Sequence, residues 1–221
     1  MIETVIEAYN EAILDTDQER AFAVIHRAVE KGISPEDIIF KIVIPSIELM
    51  TKYISETKEA SVAQHFLTAK IAAAVTDEML DKFKQRPKVV GCVVLGTSQG
   101  DFHGLGKKIV GGCLKALMIQ VIDLGVNVAP EKFVEAAIEN KAEVIGIASM
   151  MVHTARSENG CSKVRQLVNE CGLKGRVRIV VGGAPYRYDH DLYKKVKADA
   201  WAENGITAGK IITRLIREVQ Q

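Results

Sequence analysis

The chain has 221 residues, 48% of them hydrophobic and 26% charged, which suits one large domain or two small ones and excludes a disordered protein. Its 29 basic and 28 acidic side chains nearly cancel, so nucleic acid or an anionic membrane is not expected as the main partner. The start of the chain does not resemble a signal peptide, and no window approaches the ~20 apolar residues of a membrane-spanning helix. Four cysteines without CxxC spacing indicate reduced thiols and a cytoplasmic protein.

The region up to residue 85 has the apolar spacing of helices. Ser34 and Pro35 form a typical helix start, with a capping hydroxyl followed by a proline at the first helical position. Two further helices are predicted over residues 42–53 and 61–83. We therefore expect about four helices, packed as a small bundle.

Beyond residue 87 the pattern changes to short apolar runs alternating with amphipathic segments. The predicted strands cover residues 88–96, 120–125, 143–150, 176–183 and 198–203. The predicted helices cover residues 105–117, 130–140, 157–171, 188–196 and 206–219. This alternation indicates an α/β domain with a flavodoxin-like (Rossmann-like) parallel sheet in the order 2-1-3-4-5. The predicted domains are residues 1–86, all helical, and residues 87–221.

Polar and glycine-rich loops follow the first, third and fourth predicted strands, where ligands bind in open parallel sheets. The first loop, residues 96–106, holds Asp101 two positions before His103. It matches neither the GxGxxG dinucleotide motif nor a P-loop. In an Asp-x-His pair the carboxylate accepts the proton of one ring nitrogen, and the other nitrogen remains free as a metal ligand or a base.

Three short motifs end these strands in order: Asp101-x-His103-x-x-Gly106, Ser149-x-Met151 and Gly182-Gly183. Together they resemble the DxHxxG, SxL and GG signature of cobalamin-binding domains. Residues 100–112 and 121–137 closely resemble corrinoid proteins of methyltransferase systems. Residues 1–85 resemble the helical cap that precedes this domain in those proteins and in cobalamin-dependent methionine synthase.

The resemblance implies roles for individual residues. His103 would be the lower axial ligand of the cobalt, with the base of the cofactor displaced from the metal and buried in a slot of the α/β domain. Asp101 would be a catalytic partner that fixes the tautomer of His103 and raises its basicity. The further residues expected to bind the cofactor are Gly100, Phe102, Gly104, Gly106, Ser149, Met151, His153, Gly182 and Gly183.

Three departures from the family pattern stand out. Met151 replaces the usual leucine of the slot. Ala155 occupies the position of a serine that extends the His–Asp pair into a relay in methionine synthase, so a substitute such as Thr154 or water is needed. Residues 61–63 read Ser-Val-Ala where the cap usually has an aromatic FLP lid, which makes His65 or Phe66 a candidate to cover the cobalt.

The function implied is that of a methyl-carrying corrinoid protein whose cofactor alternates between methylcobalamin and cob(I)alamin. Its partners would be a substrate:corrinoid methyltransferase, a methyltransferase that passes the group to tetrahydrofolate or coenzyme M, and a reductive activase. The chain has no room for either catalytic barrel, so catalysis would need these partners. Two alternatives stay open: a cobalamin-dependent sensor or regulator, and the small cobalamin subunit of a mutase. The methyl donor and acceptor are not predicted.

Overall fold

A computed structural model describes residues 2–47, 49–50, 62–82 and 89–221. The chain divides into two compact units. The first comprises Met1–Lys88 with Lys115–Leu117, and the second comprises Val89–Leu114 with Met118–Gln221. The division of the sequence into domains at residues 86 and 87 stays a prediction.

The first unit is helical, with helices α1 (Ile2–Leu14), α2 (Gln18–Glu30), α3 (Pro35–Asp37) and α4 (Val62–Asp81). The hydroxyl of Ser34 accepts a hydrogen bond from the backbone N–H of Asp37 at 3.1 Å, as its sequence position predicts. α3 continues directly into a π-helical segment, Ile38–Val43, which the sequence did not predict. The predicted helix over residues 42–53 lies partly outside the described residues.

The second unit contains a five-stranded parallel sheet in the order β2-β1-β3-β4-β5. This confirms the predicted fold class and strand order. The strands are β1 (Gly91–Ser98), β2 (Ile119–Val128), β3 (Val144–Ala148), β4 (Arg178–Gly182) and β5 (Ala200–Ala202). The helices are α5 (Leu105–Ala116), α6 (Pro130–Glu139), α7 (Val152–Arg156), α8 (Cys161–Glu170), α9 (Ala184–Tyr188), α10 (Leu192–Lys195) and α11 (Gly205–Gln220).

The predicted boundaries differ from the structure at several elements. β2 extends to Val128 rather than ending at residue 125, and its pairing with β1 shifts register on either side of Gly96. Two five-residue helices, α7 and α9, occupy segments that the sequence assigned to loops, apart from Tyr188 at the start of a predicted helix. Helices this short show no apolar periodicity, which is why the pattern missed them.

The central strands of the sheet are buried on both faces, whereas the edge strand β2 has exposed positions, and every residue of β1 is buried. Such continuous burial explains why the strand reads as an apolar run rather than as an alternation. A large apolar cluster joins the sheet to α6 and α8 and includes Ile145, Ile179 and Val164. Among the described residues, no helix is long and apolar enough to cross a membrane. The parallel order places the ends of β1, β3 and β4 side by side at one edge, hereafter the carboxyl edge.

Candidate functional site

The loop after β1 is held to the end of β2 by backbone and side-chain hydrogen bonds. The hydroxyl of Thr97 donates to the carbonyl of Asp101 at 2.5 Å, and the backbone N–H of Asn127 donates to the same carbonyl at 2.9 Å. The side-chain oxygen of Asn127 accepts from the N–H of Gly100 at 2.7 Å. Gly100 has φ +82°, a conformation that glycine adopts without strain. These bonds fix the backbone that carries Asp101.

Asp101 and His103 form the predicted pair. Nδ1 of His103 lies 2.9 Å from Oδ1 of Asp101, and the backbone N–H of His103 donates to the same oxygen at 3.0 Å. A carboxylate only accepts hydrogen bonds, so Nδ1 carries the ring proton and Nε2 of the neutral ring keeps its lone pair. The carboxylate is fully buried, whereas 57% of the His103 side chain is exposed. The free Nε2 is thus the group available to a ligand.

The second oxygen of Asp101 is bound by the loop after β3. Oδ2 accepts from the backbone N–H of Met150 at 2.6 Å, from that of Met151 at 3.3 Å and from the hydroxyl of Thr154 at 2.9 Å. Burial alone would raise the pKa of Asp101, but these bonds and those from His103 outweigh it and lower the pKa to about 2. Asp101 is therefore an anion at neutral pH.

Thr154, one of the two substitutes expected for the serine that Ala155 replaces, contacts Asp101. The Thr154 hydroxyl contacts the carboxylate directly and also donates to the carbonyl of Met151 at 2.8 Å. Ala155 is buried beside it on α7 and contributes no polar group. The missing serine therefore does not leave the carboxylate without a hydroxyl, because the neighbouring residue supplies one.

Ser149 and the glycine pair meet at the ends of β3 and β4. The buried hydroxyl of Ser149 lies 2.7 Å from that of Ser98 at the end of β1. Gly183 has φ +112°, and a Cβ there would lie 2.0 Å from the carbonyl oxygen of Ser149. A Cβ at Gly182 would lie 3.1 Å from the carbonyl oxygen of Ala202. The two glycines are therefore required by the packing of the protein's own backbone, and their contact with a cofactor stays a prediction.

Exposed apolar side chains surround His103 in the loops and helix starts of the carboxyl edge. More than two fifths of each of these side chains is exposed, except at Val126, where the fraction is 40%. They are Phe102, Leu105, Val126, Met150, Met151 and Val152. Exposed apolar patches of this kind mark ligand or partner sites. We name this set the apolar collar.

Three further residues that the sequence predicts as cofactor contacts lie in different surroundings. A Cβ at Gly106 would meet no atom within 4 Å, so this residue borders open space. A Cβ at Gly104 would lie 3.1 Å from Val126, which makes that glycine necessary for local packing. His153 is exposed on the first turn of α7 and is not part of the Asp101 network. Cofactor contact by each of the three remains a prediction.

Sequence reasoning missed two residues, Asn127 and Lys107, whose side chains form hydrogen bonds at the carboxyl edge. Asn127 adopts φ +54° to receive the loop after β1. Lys107, whose side chain is 2% exposed, pairs with the half-exposed carboxylate of Asp123 on β2. Burial opposes ionisation of Asp123, but the bonds from Lys107 and from the N–H of Gly125 lower its pKa. Only the spacing of Lys107 immediately after the glycine motif could have indicated this pair.

Comparisons with known proteins identify the second unit. Residues 91–208 match the B12 binding domain family. The chain is 31% identical over 210 residues to trimethylamine corrinoid protein 1 of Methanosarcina mazei, which covers 91% of this chain and 92% of that protein. It is 30% identical to dimethylamine corrinoid protein 3 of Methanosarcina acetivorans, over 94% of each chain. The chain belongs to the corrinoid protein family.

Solved structures of corrinoid proteins share the fold. A chain of the methanol:cobalamin methyltransferase complex of Methanosarcina barkeri superposes with a TM-score of 0.76 at 21% identity, covering 97% of this chain and 80% of that one. A cobalamin-binding protein of Desulfitobacterium hafniense gives the same TM-score and identity, over 95% and 98% of the two chains. The predicted family and the predicted cofactor, cobalamin, are thus confirmed.

The residues of the carboxyl edge fit this cofactor. His103 offers one unengaged ring nitrogen of defined tautomer, as a single protein ligand to a cobalt requires. The apolar collar offers a surface against which a large macrocycle can pack, and Gly106 leaves open space beside it. The cobalt would be held by Nε2 of His103, and Asp101 would orient the ligand.

Proposed function

We propose that this protein carries a methyl group on cobalamin between two methyltransferases, as the cofactor-bearing subunit of a corrinoid methyltransferase system. The observation that carries the proposal is the free Nε2 of the half-exposed His103, backed by a buried carboxylate and set within the apolar collar. The names of the trimethylamine and dimethylamine corrinoid relatives support it. Bound cobalamin supplies a cobalt centre that accepts and releases a methyl group.

The chain's own residues would hold and tune that centre. Asp101 fixes the His103 ring through Nδ1, so that Nε2 points away from the carboxylate toward a ligand. The hydrogen bonds from Met150 and Thr154 hold the Asp101 carboxylate in the position from which it contacts the ring.

The slot for the displaced nucleotide tail would lie behind the pair, between the ends of β1, β3 and β4. Ser149 would donate a hydrogen bond to the tail, and Met151 would line the slot with a flexible apolar side chain. Gly182 and Gly183 would let the tail approach the strand ends. The described residues at this edge provide both a metal ligand and buried polar groups, which is what binding with the base off and the histidine on requires.

The proposed partners are the enzymes that would load the methyl group, remove it and reactivate the cofactor. We propose a substrate:corrinoid methyltransferase as donor enzyme, a methyltransferase acting on tetrahydrofolate or coenzyme M as acceptor enzyme, and a reductive activase. Because the relatives carry the names of methylated amines, a methylated amine is the first donor class to test.

Reconstitution with cobalamin tests the proposal. The absorption spectrum of the bound cofactor should be that of a histidine-ligated, base-displaced form, and His103→Ala should abolish that spectrum. His26→Ala, which removes a histidine paired with Glu78 in the first unit, should leave it unchanged and serves as the matched control. An unchanged spectrum in His103→Ala would overturn the ligand assignment. Incubation of the methylated holoprotein with methyltransferases encoded by neighbouring genes should then transfer the methyl group to the acceptor.

A further inference from the structure

The end of β2 is bulged beside the loop that carries His103. Between Asp123 and Val128, β2 contains two more residues than the part of β1 that it pairs with, because the register shifts twice. Two residues of this stretch, Gly125 and Asn127, have φ values of +84° and +54°. Bulges bend a strand and re-aim its side chains, and they are frequent next to functional sites. The bulged stretch brings two polar side chains of β2 to the loop after β1 and to the start of α5.

Asn127 forms the first connection. Its side-chain oxygen accepts a hydrogen bond from the N–H of Gly100 at 2.7 Å. Its own N–H donates to the carbonyl of Asp101 and to the hydroxyl of Thr97, both at 2.9 Å. Asparagine adopts left-handed backbone more readily than most residues with a side chain, so it can supply this acceptor from a bulge. The first half of the loop is thus bonded to β2 by both the main chain and the side chain of one residue.

Asp123 forms the second connection, through Lys107. Its Oδ1 accepts hydrogen bonds from Nζ of Lys107 and from the N–H of Gly125, the latter at 2.8 Å. Lys107 lies in the first turn of α5, and only 2% of its side chain is exposed. Burial and the positive end of the helix dipole both disfavour a cation there, and the Asp123 carboxylate offsets that cost. The pair ties the start of α5 to the same strand.

The two connections bracket the proposed metal ligand. His103 lies three positions after Gly100 and four positions before Lys107. More than half of its side chain is exposed, so the position of the ring depends on the loop backbone and on Asp101, 2.9 Å from Nδ1. A loop that is ordered before a ligand arrives reduces the entropy lost on binding.

We propose that Asn127 and Asp123 are positioning residues, which hold residues 99–104 in the conformation that presents Nε2 of His103 to the cobalt before cobalamin binds. Both act through His103 rather than by contact with the cofactor. The inference rests on the proposed function, because it requires His103 to be the cobalt ligand.

Asn127→Gly in the full-length chain tests the first connection. Glycine keeps the left-handed backbone and removes the acceptor of the Gly100 N–H. In the cofactor-free protein, hydrogen exchange of the Gly100 amide should become about 3- to 10-fold faster, the ratio for one hydrogen bond, while the unfolding temperature stays near that of wild type. Affinity for cobalamin should fall by about 3- to 10-fold. A smaller fraction of the bound cofactor should show the histidine-ligated spectrum.

The same substitution in a His103→Ala background separates positioning from a purely structural role. Asn127→Gly should lower the affinity no further there, because the side chain that it positions is already absent. Lys107→Met keeps the length of the buried side chain and removes its bond to Asp123. It should therefore lower the affinity when His103 is present and leave it unchanged in His103→Ala.

Two variants serve as controls. Asn127→Asp keeps an acceptor oxygen for the Gly100 N–H and tolerates the left-handed backbone, so it should retain most of the wild-type affinity. Lys141→Gly places glycine at another left-handed position, with φ +51°, in the turn before β3. It should leave both the affinity and the spectrum unchanged.

The outcomes distinguish this inference from the proposed function. Equal losses of affinity with and without His103, no loss in Asn127→Gly, or an unchanged exchange rate at Gly100 would overturn the inference. Each of these results leaves the proposed function standing if His103→Ala changes the spectrum of bound cobalamin. A His103→Ala protein that matches wild type in spectrum and affinity would overturn the ligand assignment and this inference together.

Discussion

Asp101 and Asp199 are carboxylates that bind backbone N–H groups at opposite edges of one sheet. Each carboxylate accepts a backbone N–H of the sheet region: Asp101 from Met150 at 2.6 Å, and Asp199 from Ile179 at 2.6 Å. Asp199 then pairs with Arg165, a side chain that is itself mostly buried. Asp101 pairs instead with His103, which exposes more than half of its side chain.

The difference shows how one fold separates stability from chemistry. The charge of Asp199 is neutralised within the protein, so that edge is closed. The charge of Asp101 polarises a ring whose second nitrogen remains free, so the carboxyl edge is open to a ligand. Open parallel sheets bind ligands at the carboxyl ends of their strands, and the two carboxylates show the local reason in this chain.

The largest expected effect comes from removing the charge of Asp101 at the carboxyl edge. Asp101→Asn removes the charge that orients and polarises His103, and we expect affinity for cobalamin or methyl transfer to fall by about 10- to 100-fold. Asp199→Asn is the control and should leave both unchanged. Titration of each protein with cobalamin, followed by absorbance, measures the ratio of the wild-type affinity to that of the variant. Equal losses in the two variants would mean that the carboxylates do not differ in function.

The pH dependence of folding sharpens the same comparison. The pKa of Asp101 is about 2 in the folded protein, below its ordinary value of 3.8. A lowered pKa stabilises the fold above the ordinary value, and this contribution, about 2 kcal/mol, is lost as pH falls from about 4 toward 2. The difference in urea unfolding free energy between wild type and Asp101→Asn should therefore shrink as pH falls, by about half at pH 3. A difference that stays constant from pH 6 to pH 3 would contradict the lowered pKa.

Asp199→Asn should affect stability alone. It weakens the hydrogen bonds to Ile179 and Arg165 at a position that is about one fifth exposed, and we expect the unfolding free energy to fall by about 1–3 kcal/mol. Urea unfolding of the cofactor-free protein at pH 7 measures this loss. The spectrum of bound cobalamin should remain that of wild type, and a changed spectrum would show that the closed edge is coupled to the site.

The smallest effect concerns the hydroxyl on Asp101. Thr154→Val keeps the shape of the side chain and removes its bond to Oδ2, so affinity for cobalamin should fall by about 2- to 10-fold. Thr154→Ser keeps the hydroxyl and should restore most of the affinity. A plot of the cobalt reduction midpoint against pH should change slope in Thr154→Val alone. Identical slopes in all three forms would show that the hydroxyl takes no part in proton uptake.

Much of the fold could be predicted because long elements carry their own signals. Strands β1, β3 and β4 read as apolar runs since nearly all of their residues are buried, and the order 2-1-3-4-5 follows from alternating strands and helices. The short helices α7 and α9 and the π-helical segment Ile38–Val43 were missed. Each spans only one turn or a local change in hydrogen bonding, which composition does not encode.

The sequence by itself located the proposed metal ligand, His103, and its carboxylate partner along the chain, because Asp101 and His103 are two positions apart at the end of a recognisable strand. Only the tertiary structure decided what surrounds them. Thr154 reaches Asp101 from 53 positions away, and the sequence left open whether Thr154 or water would take the place of the missing serine. Contacts between distant segments depend on packing, which local spacing does not specify.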